Sequence, residues 1–252
     1  MAKQESLVKI RGTIGDLSFS KHRERGYEVR MKGGVDRARI MSDPNFERTR
    51  ENMSEFASAT QMAKVIRLQL NNLSRGVADK SFRNRLVSTV YRIQKADTES
   101  PRGQRTFRPE NSGQLKGLEI NGASSLRFMF GGDLPTAYDR ASGEVTLNIP
   151  EFNPRDKVTL LEGATHVQFT LAAVEQALDM EELSRPEVQH SAFIPLIGVH
   201  PPEAIQLVLP AASDKVVYIL VGISTYQEAN GAFYPLKNNP YNALTIVDVD
   251  LP

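Results

Sequence analysis

The chain has no cysteine and no tryptophan. Without thiols, disulfide staples and thiolate metal sites are excluded, and the redox compartment stays open because a cysteine-free chain tolerates any. Without tryptophan, and with only 7 tyrosines in 252 residues, a stacking platform for sugars has few residues to draw on. No apolar run approaches the roughly 18 residues that span a bilayer. The opening Met1-Ala2-Lys3-Gln4-Glu5-Ser6 lacks the basic, apolar and small-residue segments of a signal peptide. The default expectation is a cytoplasmic protein, with leaderless release to the outside left open.

Motifs that carry chemistry are missing too. Gly222-Ile223-Ser224-Thr225-Tyr226 fails the nucleophile-elbow pattern at its last position, and neither a P-loop nor a G-x-G-x-x-G occurs. The histidines, His22, His166, His190 and His200, never sit at ligand spacing. His166, in Gly163-Ala164-Thr165-His166, reads as a strand-start residue bonded locally rather than as a base or ligand. Glu181-Glu182 reads as a solvated turn. Asp248 and Asp250, alternating with Val247, Val249 and Leu251, read as the outer face of a final strand, too few oxygens for calcium. The expectation is a non-enzymatic protein with no cofactor and no metal.

What is present is charge sorted by position. Residues 1–116 hold 24 Lys and Arg against 13 Asp and Glu, and residues 117–252 hold 7 against 17, so the halves carry +11 and −10. A basic face attracts phosphate or an acidic protein surface. Here the complementary acidic surface lies in the same chain, so copies can attract one another head to tail.

Patterning predicts an α+β protein. Leu17 and Phe19, then Tyr27, Val29 and Met31, alternate with polar residues on two arms of a β-hairpin around Lys21-His22-Arg23-Glu24-Arg25-Gly26. Val8, Ile10 and Ile14 predict another strand over 7–14, interrupted at Gly12 and Gly15. Asp43-Pro44 is a cap followed by proline at the first helical position. Phe46, Met53, Phe56, Ala63, Ile66, Leu70 and Leu73 then form one apolar stripe. After a break at Ser74-Arg75-Gly76, Phe82, Leu86, Val90 and Ile93 mark a second helix over about 79–95, giving a helical hairpin. Its outer faces carry Arg48, Arg50, Lys64, Arg67, Arg83, Arg85, Arg92 and Lys95. Residues 99–117, with Pro101, Gly103, Pro109, Gly113 and Gly117, read as a linker. Strands are predicted at 126–130, 144–149, 157–161, 167–173, 191–196, 204–209, 216–226 and 244–249, with a helical turn at 176–183. Such spacing fits an antiparallel immunoglobulin-like β-sandwich. The domain reading is 1–98, a basic β-hairpin with the helical pair, then the 99–117 linker, then 118–252, an acidic sandwich.

Two surfaces stand out. Val8, Ile10 and Ile14 form a candidate assembly strand, able to add to a neighbour's sheet edge or to pair within its own chain. Arg23, Arg25, Arg30, Lys32, Arg37 and Arg39 form a candidate basic interaction surface interleaved with Phe19 and Tyr27. The expected function is a structural or scaffold protein that self-associates into a homo-oligomer or filament. The alternative is a nucleic-acid-associated protein binding phosphates through the basic half, and a second alternative is a carbohydrate-binding module.

Gly12-Thr13-Ile14-Gly15, Lys32-Gly33-Gly34-Val35, Asp43-Pro44 with Phe46, and Arg48-Thr49-Arg50-Glu51-Asn52 with Glu55-Phe56 resemble the N-terminal signature of a group of uncharacterised proteins common in Bacteroidota. Gly163-Ala164-Thr165-His166 and Tyr241-Asn242-Ala243-Leu244 extend the likeness over most of the chain. The resemblance implies a bacterial source and supplies no catalytic residue.

Overall fold

The structure is a computed structural model, and it describes residues 2–5, 7–176, 184–236 and 242–252. Helices and antiparallel sheets are mixed, as the patterning predicts. The chain divides into two compact units, 1–52 and 53–252.

The first unit is a four-stranded antiparallel sheet of β1 (Ala2–Lys3), β2 (Gly12–Ile14), β3 (Leu17–His22) and β4 (Gly26–Met31), in the order β1-β4-β3-β2. The predicted hairpin is β3–β4. The strand expected over 7–14 forms only at Gly12–Ile14, where it pairs with β3 of its own chain. Residues 7–11 are irregular because Gln4 ties them down: its side chain accepts from the Ile10 N–H and donates to the carbonyls of Ile10 and Glu28. After α1 (Arg37–Ser42), Asp43 caps a turn at Pro44–Phe46 by accepting from the Asn45 N–H. Arg50, on α2 (Glu47–Gln69), donates to the carbonyls of Ile40 and Asp43, meeting the open C-terminal acceptors of α1.

In the second unit α2 is followed by α3 (Asn71–Ser74) and α4 (Phe82–Lys95). The pair is antiparallel, with Phe56 of α2 edge-on to Tyr91 of α4 at 5.8 Å. The buried stripe of α2 is Glu55, Ala59, Met62, Ala63, Ile66 and Gln69. Phe46, Met53 and Phe56 fall off it, because at its N-terminal end the inward face is marked by Glu55 and Ala59.

The strands then follow. A three-stranded sheet joins β5 (Thr136–Asp139), β6 (Glu144–Ile149) and β10 (Glu203–Val208) in the order β10-β6-β5. A six-stranded sheet joins β7 (His166–Gln176), β8 (Glu187–His190), β9 (Ile194–Pro195), β11 (Val216–Ala229), β12 (Ala232–Pro235) and β13 (Asn242–Asp250). The 14-residue β11 is its spine, with β7 on one edge and β13 then β12 on the other.

Strand alternation explains its run of apolar residues. Val217, Ile219, Val221 and Ile223 enter one core cluster with Val145, Leu147 and Ile149 of β6 and Ile205 and Leu207 of β10. Val216, Tyr218 and Leu220 enter a second with Ala59 and Ile66 of α2 and Leu86, Val90 and Ile93 of α4. The large sheet is covered on both faces, by the small sheet and by the helices.

This arrangement moves the expected boundary. The stretch 99–117, read as a linker, is packed: Phe107 and Leu115 are buried in the helix-side cluster, and a turn of 3-10 helix spans Pro109–Leu115. Buried Glu55 accepts from the Gly103 N–H at 2.7 Å, and Gln94 donates to the Arg105 carbonyl. Asp97 accepts from the N–H groups of Glu99, Ser100 and Thr106. Prolines and glycines shape a path across a surface here; they do not release the chain. The helices and the strands thus share one unit, and the division falls between Asn52 and Met53 instead.

The predicted strand at 126–130 is a helical turn, and the one at 157–161 keeps only a bridge from Val158 to Phe130 after a helical turn that ends at Lys157. Ser125 accepts from the Phe128 N–H and starts α5 (Leu126–Met129), while Asn153 accepts from the Arg155 N–H and starts α6 (Pro154–Lys157). Cap chemistry overrides strand propensity at Leu126–Met129. Of the helical turn expected over 176–183, Gln176 ends β7 and the remainder lies outside the described residues. Strands β1, β5, β8 and β12 went unpredicted. At the β5–β6 turn, Gly143 has φ +80°, and a Cβ there would stand 2.1 Å from the Leu209 carbonyl oxygen, so only glycine fits. Pairing of β11 with β13 steps from Ile219↔Asp248 to Leu220↔Ile246, leaving Val247 without a partner in a β-bulge.

Candidate interaction surface

The N-terminal sheet has two different faces. Its register sets Ile14 beside Leu17, Leu17 beside Met31, Phe19 beside Val29 and Lys21 beside Tyr27. Six apolar side chains, Ile14, Leu17, Phe19, Tyr27, Val29 and Met31, therefore share one face, while Thr13, Ser18, Ser20, Glu28 and Arg30 share the other. Among the described residues of 1–52 no apolar side chain is buried. Ile14 is 57% exposed, Leu17 40% and Met31 67%. An antiparallel sheet with an apolar face needs a cover to be stable. These residues were legible as strand positions, but only the count of missing partners marks them as a surface.

Of the candidate assembly strand, Val8 and Ile10 lie in the irregular link from β1 to β2, and Ile14 lies in β2. Val8 and the neighbouring Leu7 are among the most exposed large apolar residues described.

The six basic candidates do not gather. Arg23 and Arg25 sit in the β3–β4 turn, where the His22 Nδ1 accepts from the N–H groups of Glu24 and Arg25. Arg30 and Lys32 lie at the other end of β4, about 17 Å away along the strand. Arg37 and Arg39 are on α1. Two are already occupied, since Arg25 pairs with Glu28 at 3.3 Å and Arg39 with Asp43 at 3.2 Å. Of the basic residues assigned to the outer helical faces, Arg50 holds α1, and Arg85 pairs with Asp79 at 2.8 Å and donates to the carbonyls of Glu119 and Ile120.

The titratable groups elsewhere are held locally. His166 begins β7, its Nδ1 2.9 Å from Thr165 Oγ1 and its Nε2 3.7 Å from Glu228. Burial pushes the His190 imidazole down and the Glu119 carboxyl up, the latter partly offset by a hydrogen bond from Thr245. Among the described residues no group of three His, Asp or Glu side chains is placed to hold a metal ion, and no helix is long and apolar enough to cross a membrane. A surface aromatic group that sequence reading missed joins Phe193 stacked on Phe233 at 4.1 Å, with Tyr226 edge-on to Phe193 and His166 edge-on to Phe233. Comparison with protein-family models, curated proteins and solved structures finds no match for the chain.

Proposed function

We propose that the protein is a non-enzymatic structural protein that self-associates through its N-terminal unit. The observation that carries this is the sheet of 1–52, which turns six apolar side chains to one face and buries none of them. A second copy supplies the cover, and each aliphatic side chain so buried contributes roughly 1.5–3 kcal/mol. The opposed charges of residues 1–116 and 117–252 favour encounter between copies. Strand donation is the stronger form of the proposal. In it β1, the 7–11 link and β2 exchange their short pairings with β4 and β3 for an edge on a neighbour. The acceptor in that form is the pair of sheets, read as an immunoglobulin-like sandwich because alternate residues of both enter one cluster.

Light scattering on the full chain and on a Leu17→Ser, Met31→Ser double variant tests the reading. Both side chains are exposed, so the variant keeps its fold. The wild type is expected to associate and the variant to be monomeric at an unchanged melting temperature. A monomeric wild type at low and high salt, or a variant that melts lower without a change of mass, would mean the cover comes from the same chain.

A further inference from the structure

A second surface, independent of the N-terminal sheet, lies on the outer side of the helical pair. Between Glu55 and Asp97 the sequence has a single acidic residue, Asp79, and eight Lys or Arg. Asp79 is taken by Arg85. The other seven, Lys64, Arg67, Arg75, Lys80, Arg83, Arg92 and Lys95, form no ion pair among the described residues. Solvated helix faces ordinarily mix both signs, because i, i+4 pairs stabilise the helix. Here one sign is kept along the stretch from Lys64 to Lys95 apart from the paired Asp79, at a cost in repulsion.

The face has a shaped centre. Between α2 and α4 runs a groove of about 290 Å³ lined by Thr60, Gln61, Lys64, Arg67, Arg83 and the edge of Leu86, with no carboxylate in its wall. About 16 Å along α2 from Arg67, Phe56 is 53% exposed and meets Tyr91, whose ring carries the Lys95 ammonium at 4.4 Å. Cations repeating along a groove, neutral hydrogen-bonding side chains between them and an accessible aromatic at one end are what a chain of phosphates with stackable bases requires. An acidic protein surface fits less well. On the acidic half of this chain Asp248, Asp250 and Glu203 are already paired with Lys116, Arg140 and His200. Nor does such a surface need the exposed ring.

We propose that the α2–α4 face binds single-stranded nucleic acid, with Lys64, Arg67 and Arg83 holding the phosphate backbone and Phe56 stacking a base. Fluorescence anisotropy of labelled single-stranded DNA and RNA oligonucleotides, titrated with the full-length protein across a salt series, provides the test. Lys64→Gln, Arg67→Gln, Arg83→Gln should weaken binding at least about tenfold at low salt and reduce the salt slope by about 2. Phe56→Ser should weaken it by about tenfold without changing the slope. Arg23→Gln, Arg25→Gln should stay within about twofold of wild type, and circular-dichroism melts confirm that each variant is folded. Four results would overturn the proposal: no binding at low salt, a triple variant that binds like wild type, equal loss in the Arg23 and Arg25 variant, or polyglutamate competing as well as the oligonucleotide.

Discussion

The two units use the same element, an antiparallel sheet, under opposite conditions. In 53–252 the large sheet is covered on both faces, so β11 reads as an unbroken apolar run from Val216 to Val221. In 1–52 the strands alternate, one face is apolar, and none of its apolar side chains is buried. A covered sheet draws its stability from its own chain. An uncovered one has backbone pairing but little hydrophobic return, and its fate depends on what arrives at its face.

The largest expected difference is in opening. Amides of β7 and β11 should exchange only on global unfolding, at least about 10³-fold more slowly than those of β3 and β4. Hydrogen exchange read by mass spectrometry measures both at once, and equal protection would mean that the N-terminal sheet is covered. Trypsin sharpens the same contrast. It should cut at Arg23, Arg25 and Arg37 while sparing Arg105, which the hydrogen bonds and the ion pair around Glu55 and Gln94 hold down.

Truncation of one aromatic in each unit comes next. Phe169→Ala removes a ring that packs edge-on against Phe130 and Phe152 and should cost about 3–5 kcal/mol in chemical denaturation. Phe19→Ala, in the uncovered face, should cost less than about 1 kcal/mol. A comparable loss at Phe19 would show that its face has a cover. Gly143→Ala should cost on the order of 2 kcal/mol, since both its φ and the Leu209 carbonyl refuse a side chain.

The smallest effect is a pH dependence in the packed 99–117 stretch. Hydrogen bonds from Ser100, with those from the Thr106 and Glu99 amides, hold the Asp97 carboxyl well below its ordinary 3.8. A folded-state value below the unfolded one stabilises above the unfolded value and is lost as pH falls toward the folded one. Asp97→Asn should therefore lower the melting temperature at neutral pH, and the gap from wild type should narrow as pH drops below 3.8. A gap independent of pH would assign the penalty to shape rather than charge.

How much of this was legible in the sequence follows from which signals are local. The β3–β4 hairpin, the Asp43 cap, the helical pair and the long strands announce themselves by period and by turn residues. The packing of 99–117 does not, because polar residues that bond to buried partners look the same in sequence as residues bonded to water. The cap at Ser125 was missed because the apolar residues after it read as a strand. For the interaction surface, the alternation of Leu17, Phe19, Val29 and Met31 was readable. That none of them is buried was not, since burial is a property of the fold. The six basic residues were close in sequence and separated by the length of a strand, so proximity along the chain misled.

The bulge at Val247 has a consequence for how the end of β13 can vary. Strand faces alternate by parity, and the extra residue resets it. Upstream, Leu244 and Ile246 face the helices; beyond the bulge Val249 does, opposite Tyr218, while Asp248 and Asp250 turn to the other side. There Asp250 meets Arg140, which also donates to the carbonyls of Ser213 and Lys215 and so fastens the β5–β6 turn to the start of β11. Removing Val247 alone would close the bulge, keeping Val249 opposite Tyr218 and both carboxylates on their present side, with Asp250 still beside Arg140. Removing Val247 together with Asp248 would bring Asp250 opposite Tyr218, into the helix-side layer, and leave Arg140 without its partner. The C-terminal strand is thus more tolerant of losing the one bulged residue than of losing two, and chain length at this edge is constrained by phase rather than by size.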